Sequence, residues 1–242
     1  MAIKRYLIVN ADDFGQSPGV NRGVIEAHER GIVTSTSLMV RWPAAAGAAA
    51  YGREHPNFSL GLHFDFGEWV YRQGSWVPVY EVAPTDDIAA VASEAIRQLD
   101  AFRRLVGRDP THLDSHQHVH RWEPVLSVLL ELARKLAVPL RHYSPRVRYS
   151  GDFYGQTAEG LPLYDAISAD GLIKILKALP PGVTELACHP GLGEDLESVY
   201  RSERVEEVKV LCDPRVRAAI VAEGIELCPF GSATLRRMDP IS

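Results

Sequence analysis

Residues 111–120 read Thr-His-Leu-Asp-Ser-His-Gln-His-Val-His and hold His112, Asp114, His116, His118 and His120, with four of the chain's nine histidines. Imidazole is a common transition-metal ligand and the side chain that titrates nearest neutral pH, so the stretch has the makings of a metal or acid–base site. At strand spacing all five residues share one face, because strand side chains alternate with period two. A solvated polar strand face is the competing reading, although clusters of this kind more often bind metal or catalyse. Three other segments carry related chemistry: Asp12-Asp13, His63 and His189. A carboxylate with two imidazoles makes a three-ligand divalent site with positions left open for water and substrate, and Asp13, His63 and His116 would supply it from three strands. A metal there polarises a carbonyl and lowers the pKa of bound water. Asp12 is the candidate proton acceptor. Neighbours on a regular strand face opposite ways, so a turn at Phe14-Gly15 is needed to bring both aspartates together; taken alone, the pair is equally a turn or helix-capping pair. His189, before Pro190-Gly191, is placed to protonate a leaving group, against the plainer reading of a strand-end turn. His118 and His120 read as groups orienting His116 or as loop residues. His28, His55 and His142 read as structural or solvated.

These residues need elements to position them. Short apolar runs predict strands over 6–10, 32–40, 58–64, the histidine stretch, 138–142, 183–188 and 225–227. Between them lie helical patterns. Ser17 and Pro18 cap the first, Asp87 caps one of about twenty residues that Gly107 ends, and Asp213-Pro214 caps the last. Residues 65–84 and 145–165 lose periodicity and read as two long loops; Trp69, Tyr71, Trp76 and Tyr80 in the first offer flat faces to a sugar ring or plug the core. Strands alternating with helices mean parallel β with crossover helices, closed into a barrel or opened into a doubly wound sheet. Asp12-Asp13, His63, Asp114/His116 and His189 all fall at the C-terminal ends of strands, which converge on one rim in a β/α barrel. No glycine-rich phosphate loop follows the first strand, so a nucleotide-binding fold fails. The expectation is one β/α-barrel domain over 1–242 with about seven parallel strands.

Composition sets the outer bounds. The 242 residues are 46% apolar and 24% charged, enough for a sizeable core, and the net charge of -5 argues against a nucleic-acid partner. No apolar run is long enough for a signal peptide or membrane span. Three widely spaced cysteines suit a reducing, cytoplasmic setting.

Taken together, IVNADDFG (8–15), GIVTSTSLMV (31–40), GLHFDF (61–66), THLDSHQHVH (111–120) and CHPG (188–191) resemble the YdjC-like carbohydrate deacetylases, which include the chitooligosaccharide deacetylases. The resemblance spans most of the chain. It implies an irregular β/α barrel related to the polysaccharide deacetylases, and removal of an N-acetyl group from an amino sugar or short chitooligosaccharide with the help of a divalent metal. Carried over, the metal ligands are Asp13, His63 and His116, the base is Asp12 and the acid His189. Asp114, His118 and Arg146 are expected to bind substrate or orient those groups. The wider group steers its catalytic carboxylate with an arginine, for which RHYSPRVR offers both Arg141 and Arg146. The family's metal is magnesium, whereas two imidazoles and a carboxylate favour zinc on softness. An acetylated amino sugar is the expected partner; a homodimer is left open. Two alternatives stand beside this one: hydrolysis of another amide or ester at the same metal site, and a non-catalytic sugar-binding or regulatory protein on the same barrel.

Overall fold

The computed structural model describes residues 4–157, 160–193, 195 and 200–232. Its elements run β1 (Arg5–Phe14), α1 (Pro18–Glu29), β2 (Ser35–Leu38), α2 (Ala45–Glu54), β3 (Ser59–Phe64), the strands β4 (Gly67–Arg72) and β5 (Ser75–Glu81), α3 (Ile88–Val106), β6 (Leu113–Ser115), α4 (Val125–Leu136), β7 (Arg148–Ser150), α5 (Ala169–Ala178), β8 (Gly182–Cys188), α6 (Ser202–Leu211), α7 (Pro214–Ala222) and β9 (Ile225–Leu227). The expected caps form. Ser17 accepts from the Val20 N–H, Asp87 accepts from Ala89 and Ala90, and Gly107 ends α3 at φ +79°. No helix among the described residues is long and apolar enough to cross a membrane.

Seven strands pair in parallel in the order β6-β3-β2-β1-β8-β7, with β9 also on β1, and the sheet curls into a half-barrel with helices around it. β8 runs along one edge of β1 from Arg5 to Ala11, while β9 and β2 share the other edge, at Arg5–Leu7 and at Asn10–Phe14. Alternation gives the two faces different chemistry. Leu7, Val9 and Ala11 belong to the large apolar layer shared with the helices, in which Val24, Phe102, Leu129 and Leu172 are also buried. Ile8 sits instead in a small apolar cluster with Val183, Val147, Cys228 and Phe230. Beyond that plug the same face turns polar, presenting Asn10, Asp12, Ser37, His63, Asp114 and Glu185, all buried. Polar groups held this deep persist only when they are paired with one another.

The structure departs from the sequence reading in three places. Residues 65–84 are not a structureless loop: β4 and β5 form an antiparallel hairpin, with Trp76 and Tyr71 exposed near its tip and the Tyr80 hydroxyl donating to Asp65 at 3.1 Å. The strand expected over 138–142 shrinks to a single bridge between Leu140 and Leu113, and β7 forms instead inside the second expected loop. The histidine stretch keeps strand geometry only through Ser115. A 3₁₀ turn follows over His116–Arg121, with Gln117 and His118 in the left-handed region at φ +50° and +54°. Two left-handed residues end the alternation, so His118 and His120 leave the face that Asp114 occupies.

One glycine is fixed by the site. At Gly61 on β3 an added Cβ would lie 2.3 Å from the His112 imidazole, which hydrogen-bonds Ser37 at 3.1 Å and stacks on Phe230. Gly61→Ala is expected to destabilise the protein by about 1–3 kcal/mol, the usual cost of overpacking a closed core, read as a lower urea midpoint. An unchanged midpoint would show that the His112 ring has room to move.

Candidate active site

The aspartate pair stands at the end of the central strand, and its geometry answers the difficulty raised by alternation. Asp13 itself adopts φ +66°, and the β1–β2 register shifts between Ala11 and Phe14. The turn therefore falls one residue before the expected Phe14-Gly15 bend and swings both carboxylates toward the polar face. A left-handed aspartate is uncommon and short polar side chains tolerate it best.

Asp13, His63 and His116 meet. The His63 Nε2 lies 3.3 Å and the His116 Nδ1 3.2 Å from Asp13 Oδ1, and one ligand atom from each residue falls within 4.8 Å of the others. The second Asp13 oxygen receives Arg204 from α6 at 2.6 Å. Burial works to raise the Asp13 carboxyl, but the Arg204 charge and the two imidazoles outweigh it and hold it well below the usual range. His63 is bracketed. Its Nδ1 faces Asp114 at 2.8 Å while its Nε2 faces Asp13. Burial would lower its pKa, yet Asp114 and Asp13 prevail and push it up to about 10; His116, bonded to Asp13 and near Glu68, rises to about 9.

This donor set fits a divalent cation. A neutral imidazole carries one proton, so His63 cannot donate to both carboxylates. Its short contact to Asp114 accounts for the proton on Nδ1. The Nε2 lone pair then faces Asp13 and the His116 nitrogen across a gap that either an extra proton or a cation must fill. An imidazole whose other nitrogen is fixed by a carboxylate is the usual arrangement of a metal-bound histidine.

Asp12 belongs to a second, adjoining network. Arg141 grips it through two parallel bonds of 2.6 and 2.8 Å, and also reaches Asp114 at 2.9 Å and Glu185 at 2.8 Å. Asn10 donates to Asp12 at 2.8 Å and to Ser37, which in turn donates to Asp114 at 2.6 Å. Burial pushes the Asp12 carboxyl up, and the Arg141 charge and bonds more than reverse that, leaving it below the ordinary value and ionised. Glu185 absorbs the excess negative charge: burial lifts it to about 7 despite Arg141. The His189 Nε2 stands 3.8 Å from Asp12 Oδ2, and burial lowers this imidazole to about 4, so it is neutral at pH 7. Its ring lies edge-on to Tyr154 and Tyr200, and its backbone N–H donates to Glu207.

The remaining expected residues separate. Asp114 lies within the site, between His63, Ser37 and Arg141. His118 turns away toward Tyr149, His120 and His142, with its Nε2 3.2 Å from the Tyr149 hydroxyl. Arg146 lies apart from this cluster: it is exposed and lines a separate cavity of about 650 Å³ with Thr111, Leu130, Val147 and Phe230, so Arg141 alone of the two arginines contacts the Asp12, Asp114 and Glu185 carboxylates. Residue 141 follows the Leu140–Leu113 bridge and enters the half-barrel; residue 146 is turned outward.

Among the contributors that escaped the sequence reading are Arg204, Glu185, Glu68 and Gln117. Glu185 left a signal, a lone carboxylate inside the apolar run VTELAC. Arg204 left none, being one charge among several on the charge-rich helix α6. Gln117 accepts from the Trp69 N–H at 2.9 Å and donates to its carbonyl at 2.8 Å, which ties β4 to the turn carrying His116. Glu68, beside Trp69, thereby stands 3.8 Å from the His116 Nε2.

Comparisons with known proteins bear on the family and the fold. The sequence profile described as "YdjC-like protein" matches residues 6–222. The chain is 35% identical to a carbohydrate deacetylase from Geobacillus stearothermophilus, across 93% of this chain and 97% of that one. It is 32% identical to a chitooligosaccharide deacetylase from Serratia marcescens, across 94% and 99%. Among solved structures, a protein from Enterococcus faecalis V583 described as a cellobiose-phosphate cleavage protein superposes with a TM-score of 0.76 at 29% identity, covering 94% of this chain and 98% of that one. A family 4 carbohydrate esterase from Streptomyces lividans shares the fold at a TM-score of 0.58 and 13% identity, covering 100% and 99%. With most of its length matched by that profile, this chain belongs to the YdjC-like family.

Proposed function

We propose that the chain is a metal-dependent carbohydrate deacetylase that hydrolyses the N-acetyl group of an amino sugar or short chitooligosaccharide, releasing acetate and the free amine. The observation that carries this reading is the meeting of Asp13, His63 and His116 beside an ionised, arginine-held Asp12, in a chain similar over nearly its whole length to carbohydrate deacetylases. A divalent cation held by those three residues supplies Lewis-acid polarisation of the acetyl carbonyl and a water of lowered pKa. The resemblance implies magnesium, whereas the two imidazoles favour a softer ion such as zinc.

The chain's own groups account for the protons. Asp12 accepts a proton from the attacking water, and Arg141 keeps its carboxylate ionised and fixed in orientation for that transfer. His189 starts neutral rather than protonated, which refines its expected role. Standing 3.8 Å from Asp12, it receives the proton during the reaction and passes it to the departing nitrogen. Arg204 holds the second oxygen of Asp13, leaving one oxygen directed at the two imidazoles. Tyr154, stacked at 4.7 Å on Tyr200 and edge-on to His189, presents an aromatic face suited to a sugar ring.

The direct test is acetate release from N-acetylated chitooligosaccharides by the metal-loaded protein. Wild type is expected to release acetate, while EDTA-treated protein and His116→Ala fall to background and only the former recovers on adding metal. Release that survives both treatments would remove metal dependence, and no release from any acetylated sugar would remove the deacetylase reading itself.

A further inference from the structure

We propose that His118, His120 and His142 form a second metal site, separate from the Asp13/His63/His116 cluster, that takes a borderline transition-metal ion such as Zn²⁺ or Co²⁺. One ring nitrogen from each lies within 4.8 Å of the other two, and the ring centroids are 5.2–5.8 Å apart. Each ring also keeps a buried nitrogen without a hydrogen-bond partner: His118 Nδ1, His120 Nε2 and His142 Nε2. A buried polar atom left without a partner is destabilising, so three in one cluster call for a shared ligand.

The other nitrogens support the same assignment. His118 Nε2 meets the Tyr149 hydroxyl at 3.2 Å, and His120 Nδ1 meets Ser115 Oγ at 2.7 Å. Those outer contacts fix two of the ring orientations and leave the inner nitrogens to bind, as partners of metal-bound histidines do. The backbone is shaped for this convergence. His118 and His142 both take left-handed conformations, at φ +54° and +67°, which turn them out of line with their neighbours. Histidine at such a position is several-fold enriched over most residues but still uncommon.

Ligand type separates the two sites. The first cluster includes a carboxylate and so can take a hard ion such as Mg²⁺ as well as a softer one, whereas three imidazoles with no carboxylate suit zinc, cobalt, nickel or copper rather than magnesium. The ion would join the turn after β6 to residue 142, the neighbour of Arg141, and so brace the arginine that holds Asp12.

Equilibrium dialysis of metal-stripped, full-length protein against Co²⁺, with the visible spectrum recorded, reads the site directly. Wild type is expected to bind two ions per chain, His116→Ala one, His142→Asn one, His118→Asn one, and the His116→Ala/His142→Asn double variant none. Asparagine tolerates the left-handed backbone at 118 and 142, and metal-free circular dichroism matching wild type confirms that each variant folds. With Mg²⁺ in place of Co²⁺, His142→Asn and wild type should bind equally. If His142→Asn and His118→Asn bind as many Co²⁺ ions as wild type, the second site does not exist and water fills the cluster. A His116→Ala count equal to that of wild type would instead count against the first site, so the two failures are distinguishable.

Discussion

Asp12→Asn is expected to lower kcat for acetate release by about 10²–10⁴-fold, the range lost when a positioned acid–base group is removed. At 25 °C that is about 3–5 kcal/mol of transition-state stabilisation. The size follows from what the substitution removes and what it keeps. Asparagine has nearly the same volume and retains one carbonyl oxygen for Arg141, which keeps Asp114 and Glu185 as partners, so the fold should survive. The amide cannot accept the water's proton. KM and the amount of metal bound should therefore change little, because Asp13, His63 and His116 are untouched. Steady-state kinetics with metal analysis on the same preparation separate these effects. Activity within about threefold of wild type would remove Asp12 as the proton acceptor; a loss that tracks metal content would make it a ligand instead.

Replacing Arg141 should be costlier still for the molecule as a whole. Arg141 is 4% exposed, and its guanidinium contacts Asp12, Asp114 and Glu185. Without it, three carboxylates share one buried pocket. Removing one member of a buried ion pair typically costs about 3–5 kcal/mol, a large part of the roughly 5–15 kcal/mol that holds a protein folded. Arg141→Ala is expected to show a loss of that order in urea unfolding, with little activity remaining. Arg146→Ala should match wild type in both measurements, since Arg146 is exposed and remote from these carboxylates.

Arg141→Lys tests the electrostatics while keeping the charge. The carboxyl of Asp12 sits below its ordinary value because Arg141 outweighs burial, so the base stays ionised as pH falls below the usual carboxylate range. Lysine cannot make the paired bonds. The Asp12 pKa should rise, and the acid limb of the kcat profile should move to higher pH. A limb that stays in place, or moves to lower pH, would contradict the role assigned to Arg141.

The strand ends that carry the first-cluster residues are legible in the sequence because they can be found from local pattern. The apolar run before Asn10, the Ser17-Pro18 cap and the Gly61-Leu62-His63 ending mark where chain leaves sheet, and parallel strands deliver those ends to one rim. The histidine stretch was legible in composition and misleading in geometry. Period-two spacing put His118 and His120 beside His116, whereas the left-handed pair Gln117-His118 sends them to His142. The hairpin at β4–β5 was missed because its exposed, bulged strands lack a clean apolar alternation.

By itself, then, the sequence determined the alternating β/α order, the positions of the helix caps, and the four strand ends that bring Asp12-Asp13, His63, His116 and His189 to one region. Tertiary structure decided which charges answer them. Arg141 reaches Asp12 across 129 residues of chain and Arg204 reaches Asp13 across 191, while Arg146 faces away. Caps and periods depend on neighbours a few residues apart, which the order of amino acids states outright. A buried ion pair depends on the curl of the sheet and on which way one residue after a bridge points, and both are set only when the whole sheet has curled around its polar face.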